Sequence, residues 1–470
     1  MRQVSDNIIL IEVDSDEKRA AQIYNSLVQE LFIERQDSPS LIGNIYRGTV
    51  KTINSALEAA FVDIGIGRDC FLPFSEYPEK LTKEMDVVVQ IKKDEIGGKP
   101  PRLSGFISIS GRNLVFIAGK FTGGISKNIE GKTERIRLAK LREKIKRKFE
   151  GTWILRTHAN GKSESQIYFE AKTIFQTWQK IQKEISKKKG TGLVFVLYDF
   201  TERVLKELVN SKTKKIIIEP KSEFKKAYNF IKHFIPEKKK TVFLNKNKKS
   251  LFELWGVENT IKTLTKPFQK LPSGGEIIIQ ATEALTTIDV NSGSFKKNLS
   301  SDEMAFIINK EAAREIMRQL RLRNIGGIIV CDFIDMKKTS DKKKLFDKIK
   351  FEASFDRAKI DILPPNKMGL VIISRQRISD NILEKITTPC DCCGGSGKHL
   401  SPKTVFIQVK RHLLKNREKF ERNLPINIFV HPTVADLFDR KTIAILSKEL
   451  KRDLRVRSDY KIRKEEFKIE

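Results

Sequence analysis

Residues 276–336 constrain the fold more than any other stretch, because their pattern is typical of two strands, a helix and a further strand. Glu276–Gln280 and Leu285–Val290 are β-branched runs around a short corner, which predicts a hairpin. Ser300 stands three residues before a glutamate, the capping-box spacing, and apolar residues then recur at helical intervals. The apolar run Gly327–Ile334 predicts a strand that is covered on both faces.

Two aspartates follow from this pattern as candidate metal ligands. A strand–helix–strand unit within one sheet almost always joins parallel strands, and parallel strands end at the same edge, where α/β sheets bind ligands. Asp289 closes the first strand and Asp332 closes the second, so we expect their carboxylates to lie side by side. Two like charges that close need a cation between them or a proton on one of them. Two unrelated aspartates that cap nearby amides are the alternative, and Asp335 and Asp341 are either further ligands or solvated acids.

The net charge indicates a polyanionic partner. The chain has 470 residues, enough for three or four domains, with 90 Lys and Arg against 59 Asp and Glu, a net charge of +31. A surplus of this size favours nucleic acid. No apolar run approaches the length of a membrane span, and Met1–Val13 lacks the pattern of a signal peptide.

The first hundred residues predict a strand, a helix and then a small barrel. Ile8–Val13 is a candidate strand, and the residues after it, up to position 38, are typical of an amphipathic helix. From residue 41 to residue 106 short alternating strands and frequent turns indicate a β-barrel. Its candidate strands are Asn44–Val50, Ala59–Ile64, Cys70–Pro73, Asp86–Lys92 and Gly105–Ser110.

This barrel suits single-stranded RNA. Phe61 and Phe71 are spaced to stack bases, unless one or both belong to the core. Charge for the RNA backbone is available from Arg47, Lys92, Lys93 and Lys99.

Two further segments carry groups that suit a phosphate. Gly123–Ser126 and Leu155–Thr157 combine backbone amides, a guanidinium and a hydroxyl. Downstream, Gly369–Ser374 predicts a buried strand that delivers Arg375 and Arg377. A guanidinium close to two acidic strand ends favours neutralisation of a scissile phosphate over pairing with surface acids.

Three of the five cysteines crowd into residues 390–393, which favours a reducing compartment and a metal-type cluster. Cys390 and Cys393 with the glycines after them form a zinc-knuckle pattern that supplies half of a tetrahedral site. Either His399 and another group complete the site, or two chains contribute two thiols each; a redox dithiol is the other interpretation. A helix (404–420), a strand (426–430) and a helix (434–441) predict a small terminal domain.

Several of these segments, taken in order, resemble the ribonuclease E/G family. The similar stretches are Ile45–Gly48, Leu57–Asp63, Cys70–Pro73, Thr282–Gly293, Arg318–Arg323, Gly326–Met336, Ser374–Arg377 and the cysteine knuckle. Residues 200–265 are the part without similarity. Pro100–Gly111 and Asn291–Phe295 resemble the cyanobacterial and plastid branch most closely.

The resemblance implies a multidomain α/β architecture. An RNase H-like domain is expected to be split between residues 1–39 and 201–264, with an S1 barrel of the OB type at 40–106 and a 5′ sensor at 107–200 inserted into it. A DNase I-like catalytic domain (265–387), a zinc link (388–398) and a small α/β C-terminal domain (399–470) are expected to follow.

The resemblance also implies roles for single residues. Asp289 and Asp332 would coordinate a catalytic Mg²⁺, and Asn291 would hold the first of them. The 5′-phosphate would bind at Arg156 and Thr157, with Gly111 and Val115 in the wall, and RNA would be held by Phe61, Phe71, Lys99, Lys367 and Arg375. Cys390 and Cys393 would bind a structural Zn²⁺ shared between protomers, which implies a homodimer or homotetramer. Lys127 and Lys367 stand where arginine is usual, and Cys392 is an additional thiol.

The implied function is a Mg²⁺-dependent endoribonuclease that acts in mRNA decay and rRNA processing. It would cleave single-stranded A/U-rich RNA, be stimulated by a 5′-monophosphate, and leave 5′-phosphate and 3′-hydroxyl ends. A non-catalytic S1-type RNA-binding protein and a DNA nuclease are the alternatives. We expect no degradosome scaffold tail, and the plastid-like segments favour a plastid stroma over a bacterial cytoplasm.

Overall fold

The computed structural model describes residues 7–95, 97–119, 123–294, 299–420 and 424–470. The chain divides into two compact units, Met1–Ile386 and Thr387–Glu470. The strands are β1 (Asn7–Val13), β2 (Glu17–Tyr24), β3 (Leu27–Arg35), β4 (Ile45–Asn54), β5 (Ala59–Asp63), β6 (Asp69–Pro73), β7 (Asp86–Lys93), β8 (Arg102–Ser104), β9 (Ser108–Ser110), β10 (Leu114–Ile117), β11 (Gly124–Ile125), β12 (Thr152–Leu155), β13 (Gly192–Phe195), β14 (Thr213–Glu219), β15 (Val242–Leu244), β16 (Phe268–Lys270), β17 (Glu276–Ala281), β18 (Leu285–Asn291), β19 (Gly327–Asp332), β20 (Ile360–Ile362), β21 (Val371–Arg375), β22 (Ile426–Val430), β23 (Leu454–Ser458) and β24 (Phe467–Ile469).

The α-helices lie mostly between the sheets in sequence. They are α1 (Lys132–Lys148), α2 (Glu164–Lys187), α3 (Phe200–Leu208), α4 (Lys221–Phe234), α5 (Leu251–Leu254), α6 (Val257–Leu264), α7 (Ser301–Arg323), α8 (Thr339–Ala353), α9 (Ile382–Ile386), α10 (Pro402–Lys415), α11 (Pro432–Ala435) and α12 (Arg440–Leu450). Among the described residues, none of the helices is long and apolar enough to cross a membrane.

The first sheet is assembled from two distant parts of the chain, in the order β15-β14-β1-β2-β3. The helix that the sequence predicts before residue 38 is wrong, because β2 and β3 form an antiparallel hairpin there. Asn25 and Ser26 both adopt positive φ angles, 51° and 62°, as a tight hairpin turn requires. Since both strands bury residues on their two faces, their apolar spacing lacks the period of two that marks a half-exposed strand.

The second sheet closes into the predicted barrel. Its strands pair in the order β4-β5-β6-β8-β7, and β7 pairs back onto β4, while β13 adds to the outside of β4. The last predicted strand, Gly105–Ser110, is confirmed in part as β9, but its place in the barrel is wrong: β9 belongs to the next sheet, and the short β8 lies between β6 and β7 instead. That next sheet has the order β11-β12-β10-β9, and α2 packs on it.

The six-stranded sheet β16-β17-β18-β19-β21-β20 confirms the pattern with which the sequence analysis began. β17 and β18 form the hairpin, and β18 pairs with β19 in parallel. α7 connects them and begins at a complete capping box, in which Ser300 accepts from the amide of Glu303 and the Glu303 carboxylate accepts from the amide of Ser300. It ends at Asn324 in the left-handed conformation (φ 52°), before the predicted glycines.

The second unit has its own core. β22 lies between β23, which is parallel to it, and β24, which is antiparallel. Helices α10 and α12 cover the sheet with Val409, Leu413 and Leu446. The predicted strand at 426–430 is confirmed, whereas the last predicted helix is replaced by the short α11 and by α12, which starts at Arg440.

Candidate active site and RNA-binding surfaces

Asp289 and Asp332 lie side by side, as the sequence predicts. They are register partners in the parallel pair β18–β19, and register partners on neighbouring strands are typically about 4.8 Å apart. Both carboxylates are exposed, whereas Ile288 and Cys331, which precede them, are buried on the opposite face. The alternation along both strands therefore turns the two acids to the same open face of the sheet.

Asn291 completes this group. It lies two residues after Asp289 on the same strand, and its Nδ2 donates a hydrogen bond of 2.8 Å to Asp289 Oδ2. The amide fixes one carboxylate oxygen and leaves the other oxygen free to bind a ligand. Phe295, which ends the plastid-like segment, lies outside the described residues.

The charges around the pair fit a cation. Within the described ranges, neither carboxylate forms an ion pair with a lysine or arginine, so two adjacent negative charges stand uncompensated by protein groups. Two carboxylates with an open side are a donor set that suits Mg²⁺, which usually keeps several waters. No group of three or more His, Cys, Asp or Glu side chains suited to a metal occurs in the described part of the chain. The nearby Asp341 is paired with Lys344 at 3.0 Å.

The expectation that Arg375 contacts RNA is wrong. Its side chain is fully buried and makes a two-point ion pair with the equally buried Asp356, at 2.9 and 3.1 Å. Its remaining nitrogen donates to the carbonyl of Ile325 at 2.9 Å. The exposed arginine of this segment is Arg377, which lies beside Gly97 of the barrel loop. Lys367 is exposed in the loop before β21.

The barrel presents its two phenylalanines on the outside. Phe61 and Phe71 are register partners in β5–β6, and their ring centroids are 6.0 Å apart at an interplanar angle of 70°. Both rings are half-buried and belong to no core cluster, whereas their neighbours Val62 and Leu72 form the barrel core. The structure therefore excludes the alternative that either ring is a core residue.

One of the barrel cations, Arg47, lies differently from the expectation, and another, Arg102, was missed. Lys99 is exposed in the loop before β8, as predicted. Arg47, by contrast, is held by Asp86 at 2.7 Å and by the carbonyl of Ile185, so it is committed to the junction with α2. Arg102 was missed: it pairs in register with Phe71, and it is exposed. Its position follows from β8, which the sequence pattern did not reveal.

The structure also brings the predicted phosphate-binding residues together. β12 ends at Leu155, and Arg156 follows with Nη1 donating to the carbonyl of Gly111 at 2.9 Å. Thr157 Oγ1 lies 2.9 Å from Ser126 Oγ, which links it to the segment after β11. Val115 lies half-buried on β10, opposite Ile154 of β12. We call Gly111, Val115, Arg156 and Thr157 the 5′-end pocket, after the role that the family resemblance implies for them.

A buried acid that the sequence analysis missed shapes this pocket. Glu170 of α2 accepts hydrogen bonds from the amides of Asn113 and Leu114, at 2.9 and 3.2 Å. A Cβ atom at Gly111 would lie 2.0 Å from Glu170 Oε1, so only glycine fits there. Burial raises the pKa of Glu170, and the amides oppose that effect.

The pocket is electropositive. Burial lowers the pKa of His158, and the positive charges of Arg112, Arg156 and Lys162 lower it further. Basic side chains therefore surround His158, and of these Lys162 is paired with Glu237 at 3.2 Å.

The cysteines in the second unit form a tight turn. The amide of Gly394 donates to the carbonyl of Cys390 at 2.7 Å, and Cys393 Sγ accepts from the amide of Gly397 at 3.3 Å. This bond, the amide of Gly395 and the side chain of Cys390 lower the pKa of Cys393. Cys390 and Cys392 are exposed. His399 Nδ1 lies 3.0 Å from the carbonyl of Leu400.

A closed barrel with two outward-facing aromatic rings, a cluster of basic residues and an exposed carboxylate pair are together typical of a nuclease that acts on RNA. Comparison with known proteins agrees. The model of the ribonuclease E/G family matches residues 108–378, and that of the S1 RNA-binding domain matches residues 41–96. The chain belongs to the ribonuclease E/G family and is an endoribonuclease of RNA processing and decay.

Curated relatives carry the same names. Ribonuclease G of Escherichia coli (strain K12) is 30% identical over 451 residues, which cover 91% of this chain and 91% of that protein. Ribonuclease E of Synechocystis sp. (strain PCC 6803) is 32% identical over 466 residues, covering 90% of this chain and 68% of that protein. Ribonuclease E of Haemophilus influenzae is 31% identical over 457 residues, with 93% and 49% covered.

Proposed function

We propose that this endoribonuclease is Mg²⁺-dependent, cleaves single-stranded A/U-rich RNA, and leaves 5′-phosphate and 3′-hydroxyl ends in mRNA decay and rRNA maturation. One observation carries the proposal: Asp289 and Asp332 are exposed register partners that have no counter-charge among the residues that the structure describes. Bringing two carboxylates together costs free energy unless a cation separates them. A protein that only binds RNA has no use for such a pair.

Each residue of this group has a separate task. Asp289 and Asp332 would hold the ion, and Asn291 keeps the Asp289 carboxylate oriented through its hydrogen bond. A Mg²⁺ ion bound there supplies positive charge to the scissile phosphodiester and lowers the pKa of a water molecule. The barrel would hold the strand by stacking bases on Phe61 and Phe71, which selects single strands because paired bases cannot stack on a side chain.

Stimulation by a 5′-monophosphate is proposed from the 5′-end pocket. A terminal phosphate carries more negative charge than an internal one, so it gains more from the guanidinium of Arg156. Thr157 adds a hydroxyl, which lies 2.9 Å from that of Ser126. A 5′-hydroxyl end would lose these contacts.

A zinc link between protomers is proposed from the knuckle. Amide donors favour the thiolate form of Cys393, which is the form that binds metal. Cys390 and Cys393 provide two of the four ligands of a structural zinc site, so a second chain would complete it. We propose a homodimer or homotetramer on this ground.

The domain order is part of the same proposal. The sheet β15-β14-β1-β2-β3, which is split in sequence, is assigned as RNase H-like, the sheet of β9 to β12 as the 5′ sensor, and the sheet of Asp289 and Asp332 as DNase I-like. Relatives occur in bacteria and in a cyanobacterium, consistent with a plastid or bacterial origin; we propose residence in the plastid stroma.

Cleavage of a short A/U-rich RNA tests the function. We expect cutting with Mg²⁺ and none with EDTA, products that a phosphate-dependent exonuclease degrades, and faster cutting of 5′-monophosphate than of 5′-hydroxyl RNA. Arg156→Gln should remove that preference and leave the slower rate. Lys232→Gln, an exposed lysine on α4, is the matched control. RNA binding without any metal-dependent cutting would instead indicate a non-catalytic binding protein.

A further inference from the structure

A small cavity lies where the barrel, the sheet of the 5′-end pocket and α3 meet. Its volume is about 150 Å³. The barrel contributes Gln90 and Lys92, β9 contributes Ser108 and Ser110, and the segment of α3 contributes Tyr198, Arg203, Lys206 and Glu207. A cavity of this size accommodates a group as large as a phosphate.

Two lysines in this wall lack a carboxylate partner. Lys92 Nζ donates to Gln90 Oε1 at 2.8 Å and to Ser108 Oγ at 2.6 Å, which are neutral acceptors. Lys206 Nζ lies 4.4 Å from the centroid of the Tyr198 ring. Within the described ranges, neither lysine forms a direct ion pair with an acid.

The other charges in the wall are already compensated. Arg203 is paired with Glu34, and Glu207 with Arg357. The two lysines therefore give the cavity an excess of positive charge. Burial lowers the pKa of Lys92 to about 8, and burial together with Arg156 lowers that of Lys206 to about 8. Holding both ammonium groups in this wall costs free energy that an anion would recover.

The cavity adjoins the 5′-end pocket. Ser110 lies in its wall, and the next residue, Gly111, accepts the hydrogen bond from Arg156. Tyr198 Oη donates to the carbonyl of Ser110 at 2.9 Å, which fixes this strand end against α3. On its other side the cavity reaches β7 of the barrel. An anion bound here would therefore lie between the barrel and the 5′-end pocket.

We propose that Lys92 and Lys206 form a second phosphate subsite, which binds a phosphate of the RNA substrate between the barrel and the 5′-end pocket. The inference rests on the proposed function in that its ligand is the same RNA strand. Its effect is to hold that strand in both places at once, so that recognition of the 5′ end and binding to the barrel support each other.

Salt dependence of RNA binding tests the subsite. Anisotropy of a 3′-labelled A/U-rich RNA is measured at several salt concentrations without divalent metal, with 5′-monophosphate and 5′-hydroxyl ends. Each lost phosphate contact should lower the slope of log K against log salt by about 0.7, so Lys92→Gln with Lys206→Gln, which together remove one phosphate contact, should lower it by about 0.7. At 0.1 M salt we expect about fivefold weaker binding by the double variant.

Two variants serve as controls. Lys232→Gln removes an exposed positive charge from α4 and should leave the slope unchanged. Lys206→Arg keeps the positive charge and should therefore keep the salt slope. If Lys206 had only a structural role, the larger arginine side chain would disturb the packing and lower the affinity. Equal losses on both RNAs indicate an internucleotide phosphate, and losses confined to the phosphorylated RNA indicate the terminal group; both support a phosphate subsite.

The subsite is contradicted if the salt slope and the RNA affinity of the double variant match those of Lys232→Gln. This outcome is distinguishable from failure of the proposed function. If wild-type protein cleaves both RNAs equally, 5′-end sensing is absent, yet the slope still reports on Lys92 and Lys206.

The pH dependence gives a second measurement. Affinity for RNA should fall above about pH 8, where the free lysines lose their protons, and this fall should be absent from the double glutamine variant. Tyr198 also faces the two lysines, and burial raises its pKa. The other charged groups that face them are Glu76, Arg156, Arg203 and Glu207.

Discussion

The two ends of one strand, β19, lie beside charged side chains in opposite situations. At its start Gly327 pairs with Arg375, whose guanidinium is fully buried and bound at two points by Asp356. At its end Asp332 is exposed beside Asp289, and no cation of the described chain compensates the pair. At the start of the strand the charge of Arg375 is neutralised within the fold. At its end the charges of Asp289 and Asp332 are left for a ligand.

This difference separates structural from functional charge. A buried ion pair must be complete, because either partner alone would be a charge without solvent or counter-charge. An exposed pair of like charges contributes no stability, so its presence needs a different explanation. The comparison predicts that changes at the start of β19 affect folding and that changes at its end affect cleavage.

Asp332→Asn should have the largest effect. We expect at least a roughly thousandfold loss in kcat, because the lost charge acts on the reacting phosphate, with an unchanged midpoint of thermal unfolding. Single-turnover cleavage and a melting curve measure the two quantities. Asp361→Asn on β20, also an exposed aspartate of this sheet, should retain activity. A large loss of stability in Asp332→Asn would remove the distinction between the two ends.

Arg375→Met should do the reverse. It leaves Asp356 buried without its partner, so the free energy of unfolding should fall by about 3–5 kcal/mol. Urea unfolding measures this change. The double variant Arg375→Met with Asp356→Leu should recover part of it, because no buried charge is left alone. If Arg375→Met is as stable as the wild-type protein but binds RNA more weakly, the original expectation that Arg375 contacts RNA would hold.

Asn291→Ala should have an intermediate effect on catalysis. Its amide orients Asp289 but does not touch the proposed ion, so we expect a loss of about 10- to 100-fold and a higher Mg²⁺ concentration for half-maximal cleavage. Thr287→Ala, two residues before Asp289 on the same exposed face, is the control. An unchanged Mg²⁺ requirement would show that Asn291 has no part in the site.

Phe61→Ala should have the smallest effect. Loss of one stacked base costs about 1–3 kcal/mol, so the affinity for single-stranded RNA should fall about tenfold while kcat stays nearly constant. Phe243→Ala, an exposed phenylalanine on β15, controls for loss of apolar surface. Equal RNA affinity in both variants would mean that the ring does not stack on a base.

The catalytic sheet could be predicted from the sequence because local signals agree there. The capping box sets the start of α7, and the crossover rule makes β18 and β19 parallel, which brings Asp289 and Asp332 into register. Every step depends on short-range spacing or on a general rule of connection. The alternation of inward-facing and outward-facing side chains along β5 and β6 also decides the exposure of Phe61 and Phe71.

The errors lie where a long-range contact decides the outcome. The residues after Val13, up to position 38, are predicted as a helix, but pairing of β2 with β1 and β3 buries both faces and removes the strand period. The fate of Arg375 depends on Asp356, which lies 19 residues away, and no local pattern marks that partner. Likewise Lys92 and Lys206 are far apart in the chain and meet only because α3 packs near the barrel.

The most direct measurement of the central claim is a double-mutant cycle on Asp289 and Asp332 under single-turnover conditions with saturating Mg²⁺. If both carboxylates hold one ion, either Asn variant loses the function of the whole pair, and Asp289→Asn with Asp332→Asn cleaves no more slowly than the slower single variant. If the two losses multiply in the double variant, the aspartates act independently and the shared-ion account is contradicted.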